Sequence, residues 1–358
     1  MNLREVMAGA GVPAVADVEV AGLAYDSRAV GPGTLFFCVP GFLSDGHAFA
    51  PQAVERGAAA LVVERPLGLG VPEVQVADVR AAMAPAAAIF YGDPTADLDV
   101  VGVTGTNGKT TTAFLVRALL EADGRQCGLL GTVTSIIGGA QREVVRTTPE
   151  AIDLQRDFAA MRAGGDVASA MEASSHALEL HRADAIRWAV AIFTNLTQDH
   201  LDFHPDMEAY FAAKRRLFEA GPRVAVINLD DPYGRRLAQE HPDAVTFGID
   251  SADAALRASG VTFALTGSTF TVEGLELHTP LPGRFNVLNA LGALAAARAL
   301  GVGDDTIHAA LADAGRVPGR FEPVEAGQPF AVLVDYAHTP DSLENVLRAA
   351  REIARRRV

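Results

Sequence analysis

Lys109 is preceded by Gly105, Thr106, Asn107 and Gly108 and followed by Thr110, Thr111 and Thr112, and this spacing suits phosphate chemistry. Two glycines let a backbone turn with its N–H groups facing inward. A lysine then supplies a point charge for the outer phosphates, and a hydroxyl from Thr110 or Thr111 can reach Mg²⁺. The common phosphate-loop pattern asks for a glycine at Val103, but here the glycine is Gly102, so the loop is shorter at its front. Further along, Glu172 closes VASAME, Asp199 and His200 follow WAVAIFTNLT, and Asp335 with His338 follows AVLVDYAH. Each lies directly after an apolar run, where ligands of open α/β sheets sit. With Thr110 or Thr111, Glu172 and His200 form a donor set for Mg²⁺, a hard cation that retains waters and bridges phosphates. Taken singly, Glu172 or His200 reads equally well as a structural hydrogen-bonding residue. Ser174, Ser175 and His176 do not form a hydrolase triad, because the G-x-S-x-G elbow is missing.

These residues need strands that end at one edge and helices that begin there. From 97 to about 320 the chain supplies both: DVVGVTG, a helix over 110–123, QCGLLG, a helix capped by Thr148 with Pro149 in its first turn, VASAME, WAVAIFTN, a helix over 207–220, and RVAVINLD. This alternation predicts a mainly parallel, doubly wound sheet. The strand-rich VTFAL, STFTVEG and LELHTP follow, then a helix over FNVLNALGALAAARAL. Residues 1–96 read as a separate small α/β domain closing at the turn-rich YGDPTADLD. Residues 328–358 offer one strand and one helix, which cannot bury a core alone. The expectation is therefore a chain cut short at the opening of a third domain, with an exposed apolar helix face at Leu343, Val346, Leu347 and Ile353 that makes the fragment adhesive.

A length of 358 residues favours two or three domains, and 49% hydrophobic with 21% charged residues is an ordinary globular balance. The net charge of -14 argues against nucleic-acid binding. Cys38 and Cys127 read as buried thiols in a reducing compartment. No leader and no run near the roughly 18 apolar residues of a spanning helix is seen, so a cytoplasmic protein without membrane insertion is expected.

The motifs YDSRAVGPGTLFF, DGHAF, GTNGKTTT, TTPE, MEASSHAL, TNLTQDHLDFH, FAAKRRLF, GRFNVLNALGA, GRFE and DYAHTPDSL together resemble the Mur ligase family across essentially the whole chain. The resemblance implies an N-terminal UDP-binding domain, a central ATPase domain with the phosphate loop, and the start of a Rossmann-like C-terminal ligase domain. Tyr25, Ser27 and the Phe42, Leu43, Ser44 segment would lie at the UDP end, and Thr147, Thr148, Ser174 and Arg182 would hold a muramoyl-dipeptide. Leu180 stands where some relatives carry glutamine. Gly105 through Thr111 with Asn289, Arg320 and Asp335 would bind ATP, and Glu172 and His200 would serve Mg²⁺. Lys214, by composition a solvated helix residue, matches the lysine that this family carries as a CO₂-derived carbamate, a further metal ligand.

The implied reaction is ATP-dependent. It phosphorylates the γ-carboxylate of D-Glu in UDP-MurNAc-L-Ala-D-Glu, and the amine of a diamino acid displaces the phosphate, in cytoplasmic peptidoglycan precursor synthesis by a monomer. Family frequency favours meso-diaminopimelate over L-lysine, the selecting residues being expected beyond Val358. The alternatives are another Mur or folylpolyglutamate-type ligase, which SRAVGPGTLFF and DYAHTPDSL disfavour, and a non-catalytic nucleotide-binding regulator.

Overall fold

The computed structural model describes residues 1–13, 16–42, 44–354 and 357–358. Its contacts divide the chain into two compact units: residues 1–97 with 149–160 and 177–186, and residues 98–148 with 161–176 and 187–358. In chain order the helices are α1 (Leu3–Ala8), α2 (Ala50–Glu55), α3 (Val79–Phe90), α4 (Lys109–Ala122), α5 (Ala151–Ala163), α6 (Ser175–Glu179), α7 (Met207–Glu219), α8 (Pro232–Glu240), α9 (Arg284–Ala299), α10 (Asp304–Ala312) and α11 (Pro340–Ile353).

The first unit is built on a four-stranded parallel sheet, β1 (Gly22–Ala24), β2 (Thr34–Phe37), β3 (Ala58–Val63) and β4 (Glu73–Gln75), in sequential order. Strands β2 and β3 are apolar on both faces, as TLFF and AAALVV require when a parallel sheet is covered on both sides. Leu35, Phe37, Ala60 and Val62 pack with α1 and α3, while Phe36, Cys38, Leu61 and Val63 pack with Ala50 and Ala53.

The second unit carries β5 (Asp99–Thr104), β6 (Cys127–Leu130), β7 (Ser135–Ile137), β8 (Ala140–Arg142), β9 (Ala168–Glu172), β10 (Trp188–Phe193), β11 (Val224–Asn228), β12 (Val245–Gly248), β13 (Leu256–Ala264), β14 (Gly267–Val272) and β15 (Leu275–Thr279). These form one eleven-stranded sheet ordered β15-β14-β13-β12-β11-β10-β5-β9-β6-β7-β8. From β13 to β6 every neighbour is parallel. Antiparallel hairpins extend both edges. The strand order changes direction around β5, so the carboxyl ends of β5, β9 and β10 open at a topological switch point. Helices α4 and α9 cover one face through Leu115, Val116, Leu119, Val287, Ala290, Leu291 and Leu294, all fully or nearly fully buried. Cys38 and Cys127 are free, buried thiols.

Two expectations need correction. The helix after TTPE starts at Ala151, three residues beyond Thr148, whose Oγ1 donates to the Glu172 carbonyl at 2.8 Å. Residues 328–358 hold the one strand and one helix expected, β17 (Leu333–Val334) and α11, with β17 paired antiparallel to β16 (Glu322–Pro323). On α11, Leu343 and Leu347 are exposed but Val346 and Ile353 are half-buried, so the apolar face is narrower than the sequence suggests. Among the described residues no helix is long and apolar enough to cross a membrane.

Candidate active site

The loop between β5 and α4 is pinned from below by the segment after β10. Thr106 N–H donates to Asn195 O at 2.9 Å, Asn107 N–H to Asn195 Oδ1 at 2.9 Å, and Thr194 Oγ1 to Asn107 O at 2.6 Å. Thr106 Oγ1 and the Thr197 backbone exchange bonds of 3.1 and 3.0 Å. Gly105 (φ 147°) and Gly108 (φ 87°) both occupy backbone space that side chains disfavour. A methyl at Gly105 would meet Thr194 Oγ1 at 1.9 Å, and one at Gly108 would meet Asn289 Oδ1 at 2.3 Å. Gly105→Ala is therefore expected to destabilise the fold by about 1–3 kcal/mol and to abolish nucleotide binding. Thermal melting and titration with ADP check this; wild-type values for both would contradict the packing argument.

Two lysines converge on one oxygen. The Gly105 carbonyl accepts from Lys109 Nζ at 2.9 Å and from Lys214 Nζ at 2.7 Å, and Lys109 Nζ also donates to Thr106 O at 2.8 Å. Burial lowers the pKa of both amines, and for Lys214 the neighbouring Lys109 charge pushes further the same way, well below the usual lysine value. Lys214 is 1% exposed, so the solvated-helix reading of its composition is wrong. It lies on the inner face of α7 with Tyr210, Phe211, Leu217 and Phe218.

Glu172, at the end of β9, is buried and accepts from Thr132 N at 2.7 Å and Thr132 Oγ1 at 3.1 Å. His200 holds a left-handed backbone (φ 53°), and burial lowers its pKa, so its imidazole stays neutral and able to ligate. The adjacent Asp199 carboxylate lies 3.5 Å from its Nε2. Thr110 Oγ1 accepts from Arg320 Nη2 at 3.0 Å. Asp335 binds the N–H groups of Phe321 at 2.6 Å and Ala337 at 2.7 Å, which fixes the strand end beside Arg320.

One cavity of about 240 Å³ is lined by Thr106 to Thr111, Thr147, Glu172, Ser174, His200, Lys214, Arg320, Asp335 and His338. Loop, both lysines and both candidate metal ligands thus share one chamber. The donors are hydroxyl, carboxylate and neutral imidazole, a set that fits a hard divalent cation bound largely through phosphate and water oxygens. Among the described residues no three His, Cys or carboxylate side chains form a ready metal cage.

A second cavity of about 310 Å³ begins at Asn107, Gly108 and Thr111 and continues between Phe247, Phe285, Leu288 and Val346, with Asn228, Asp230, Arg284 and Asn289 at its polar rim. Flat apolar walls with a few polar groups suit a heteroaromatic base. Sequence reasoning placed Asn289, Arg320 and Asp335 here but missed Asn195, Thr197, Asn228, Asp230 and Arg284. Asn228, Asp230 and Asn195 follow apolar strands, so the strand-end rule applied to every strand would have found them.

The residues expected at the dipeptide and at the UDP end belong to both units. Thr147 and Ser174 line the first chamber, and the hydroxyls of Thr148 and Ser174 lie 3.2 Å apart. In the other unit, Tyr25 Oη donates to Asp153 Oδ2 at 2.6 Å and Ser27 Oγ to Gln52 Oε1 at 2.7 Å. Arg182 pairs with buried Glu150 at 3.0 Å, which Arg80 also approaches at 3.4 Å. Phe42 is 76% exposed, Ser44 is exposed, and Leu180 is half-buried. Leu43 lies outside the described residues.

Residues 19–91 match the model described as "Mur ligase family, catalytic domain", residues 103–297 the "Mur ligase middle domain", and residues 319–358 the "Mur ligase, glutamate ligase domain". The chain is 48% identical to UDP-N-acetylmuramoyl-L-alanyl-D-glutamate--2,6-diaminopimelate ligase of Halalkalibacterium halodurans, over 92% of this chain and 70% of that protein. It is 48% identical to the same-named ligase of Geobacillus thermodenitrificans, over 95% of this chain and 72% of the relative. A solved structure of a ligase of that name superposes with a TM-score of 0.84 at 29% identity, covering 99% of this chain and 75% of that one.

Proposed function

The chain belongs to the Mur ligase family, and from that premise we propose that it joins 2,6-diaminopimelate to UDP-N-acetylmuramoyl-L-alanyl-D-glutamate at the expense of ATP. The observation that carries the chemistry is the chamber in which Lys109, Lys214, Glu172 and His200 meet the phosphate loop. The amino acid and the dipeptide are carried by the likeness to the two bacterial ligases. The meso isomer, action as a monomer and a cytoplasmic site belong to the same reading.

In this reading the D-Glu γ-carboxylate attacks the γ-phosphorus of ATP, ADP leaves, and an acyl phosphate forms. The amine then attacks the acyl carbon, the carbon–oxygen bond to phosphate breaks, and amide, phosphate and a proton are released. Two anions must approach in the first step, so positioning and charge neutralisation dominate. Lys109, now parked on carbonyls of its own loop, swings its charge to the outer phosphates. Arg320, held beside Thr110, adds a second positive charge on the nucleotide side. Gly105 to Thr111, Asn289 and Asp335 place the nucleotide.

Mg²⁺ would be held by Thr110 or Thr111, Glu172, His200 and Lys214 as its carbamate, and would screen phosphate from carboxylate. Burial that disfavours the charged form of the Lys214 amine supports the modification, because only R–NH₂ adds CO₂, giving R–NH–COO⁻ and a proton. Tyr25, Ser27, Phe42, Leu43 and Ser44 would bind the UDP end, and Thr147, Thr148, Ser174, Leu180 and Arg182 the dipeptide. The domains proposed are 1–96, 97–327 and 328–358; the third family match begins at residue 319, within the second of these.

The test is phosphate release with UDP-MurNAc-L-Ala-D-Glu, ATP and one amino acid at a time. Release that requires 2,6-diaminopimelate is expected; equal release with L-lysine would overturn the amino-acid assignment, and release with neither would favour a non-catalytic nucleotide-binding protein.

A further inference from the structure

Tyr210 lies one helical turn before Lys214 on α7, is completely buried, and packs between Lys214, the loop hydroxyl of Thr106 and the rings of His200 and His204. The Lys214 ammonium nitrogen sits 4.5 Å from the centroid of its ring. Its hydroxyl is 3.2 Å from Thr106 Oγ1, the loop hydroxyl that also bonds the Thr197 backbone. The His204 ring packs on it at 5.1 Å, tilted by 32°, and the His200 ring approaches edge-on at 6.0 Å. His204 N–H in turn donates to the His200 carbonyl at 2.9 Å, so ring and turn are locked together.

We propose that Tyr210 is a positioning residue, whose ring fixes the direction of Lys214 Nζ while its hydroxyl ties that lysine's helix to the phosphate loop. With Gly105 O at 2.7 Å on one side and the ring on another, Lys214 Nζ has few directions left for a substituent. An N–H retained toward Gly105 O turns the carbamate away from the ring and toward the chamber. A smaller side chain at 210 would let the long, flexible lysine relax and would leave the modification without a fixed orientation. The inference rests on the carbamate reading of Lys214.

The experiment exposes the protein, Tyr210→Phe, Tyr210→Leu and Lys214→Ala to ¹³C-bicarbonate, records carbamate ¹³C resonances, and titrates each with ADP. Wild type is expected to give a carbamate signal that Lys214→Ala lacks. Tyr210→Phe keeps the ring and the signal, but binds ADP about threefold to tenfold more weakly through the lost hydrogen bond to the loop. Tyr210→Leu loses most of the signal. A full signal in folded Tyr210→Leu, or unchanged ADP affinity in Tyr210→Phe, overturns the positioning role while leaving the Lys214 reading intact. If Tyr210→Leu does not fold, the Phe arm decides. Absence of any Lys214-dependent signal in wild type removes the carbamate reading, and the inference with it.

Discussion

Lys109→Ala is expected to cost about 100- to 1,000-fold or more in the rate of ATP-dependent ligation, the range typical of removing one preorganised charge or donor from a transferring group. The side chain donates to Gly105 O and Thr106 O at 2.9 and 2.8 Å. Incoming phosphate oxygens are better partners for it than those two carbonyls. Substitution removes the charge without changing the loop's glycines or the Asn195 anchors, so the backbone N–H groups remain in place. Nucleotide affinity therefore falls, whereas UDP-dipeptide affinity, carried by other residues, stays near wild type. Calorimetry with ADP and with the UDP-dipeptide, beside a phosphate-release assay, separates the two. Near wild-type turnover at saturating ATP would sink the assignment of this loop.

Lys214→Ala is expected to slow the enzyme by at least about 100-fold, since on the carbamate reading proposed above it removes an anionic ligand of the metal that screens phosphate from carboxylate. Small carboxylates such as acetate are expected to restore part of the rate, because the vacated space lies among polar groups within the chamber. A plain structural lysine would behave differently: the alanine variant would melt lower, and no carboxylate would help. Unchanged activity, or a bare ammonium at this position in well-resolved density, would return Lys214 to that role.

The parallel core was legible because its strands are short uninterrupted apolar runs and its helices start at recognisable turns. What could not be read locally was set by long-range partners. Thr148 looks like the start of a helix, but its hydroxyl donates to the Glu172 carbonyl across the sheet and the helix starts three residues later. The β7–β8 hairpin is short and its outer strand fully exposed, so SIIGGAQR carries little hydrophobic alternation. Lys214 is followed by two arginines, and KRR reads as solvated; only the helical phase shared with Tyr210, Phe211, Leu217 and Phe218 places it inward. At the site, the loop, Glu172 and His200 announce themselves by type and position. Thr197 does not, because it acts through its backbone bonds to the Thr106 hydroxyl rather than through charge.

The central claim is that this site makes an acyl phosphate from a substrate carboxylate and ATP. It is tested most directly by following oxygen. With ¹⁸O in the γ-carboxylate of D-Glu in the UDP-dipeptide, turnover with ATP and 2,6-diaminopimelate is predicted to deliver one ¹⁸O into the released phosphate, read by mass spectrometry or by the ³¹P isotope shift. Phosphate that carries no ¹⁸O while amide accumulates would contradict the acyl-phosphate route.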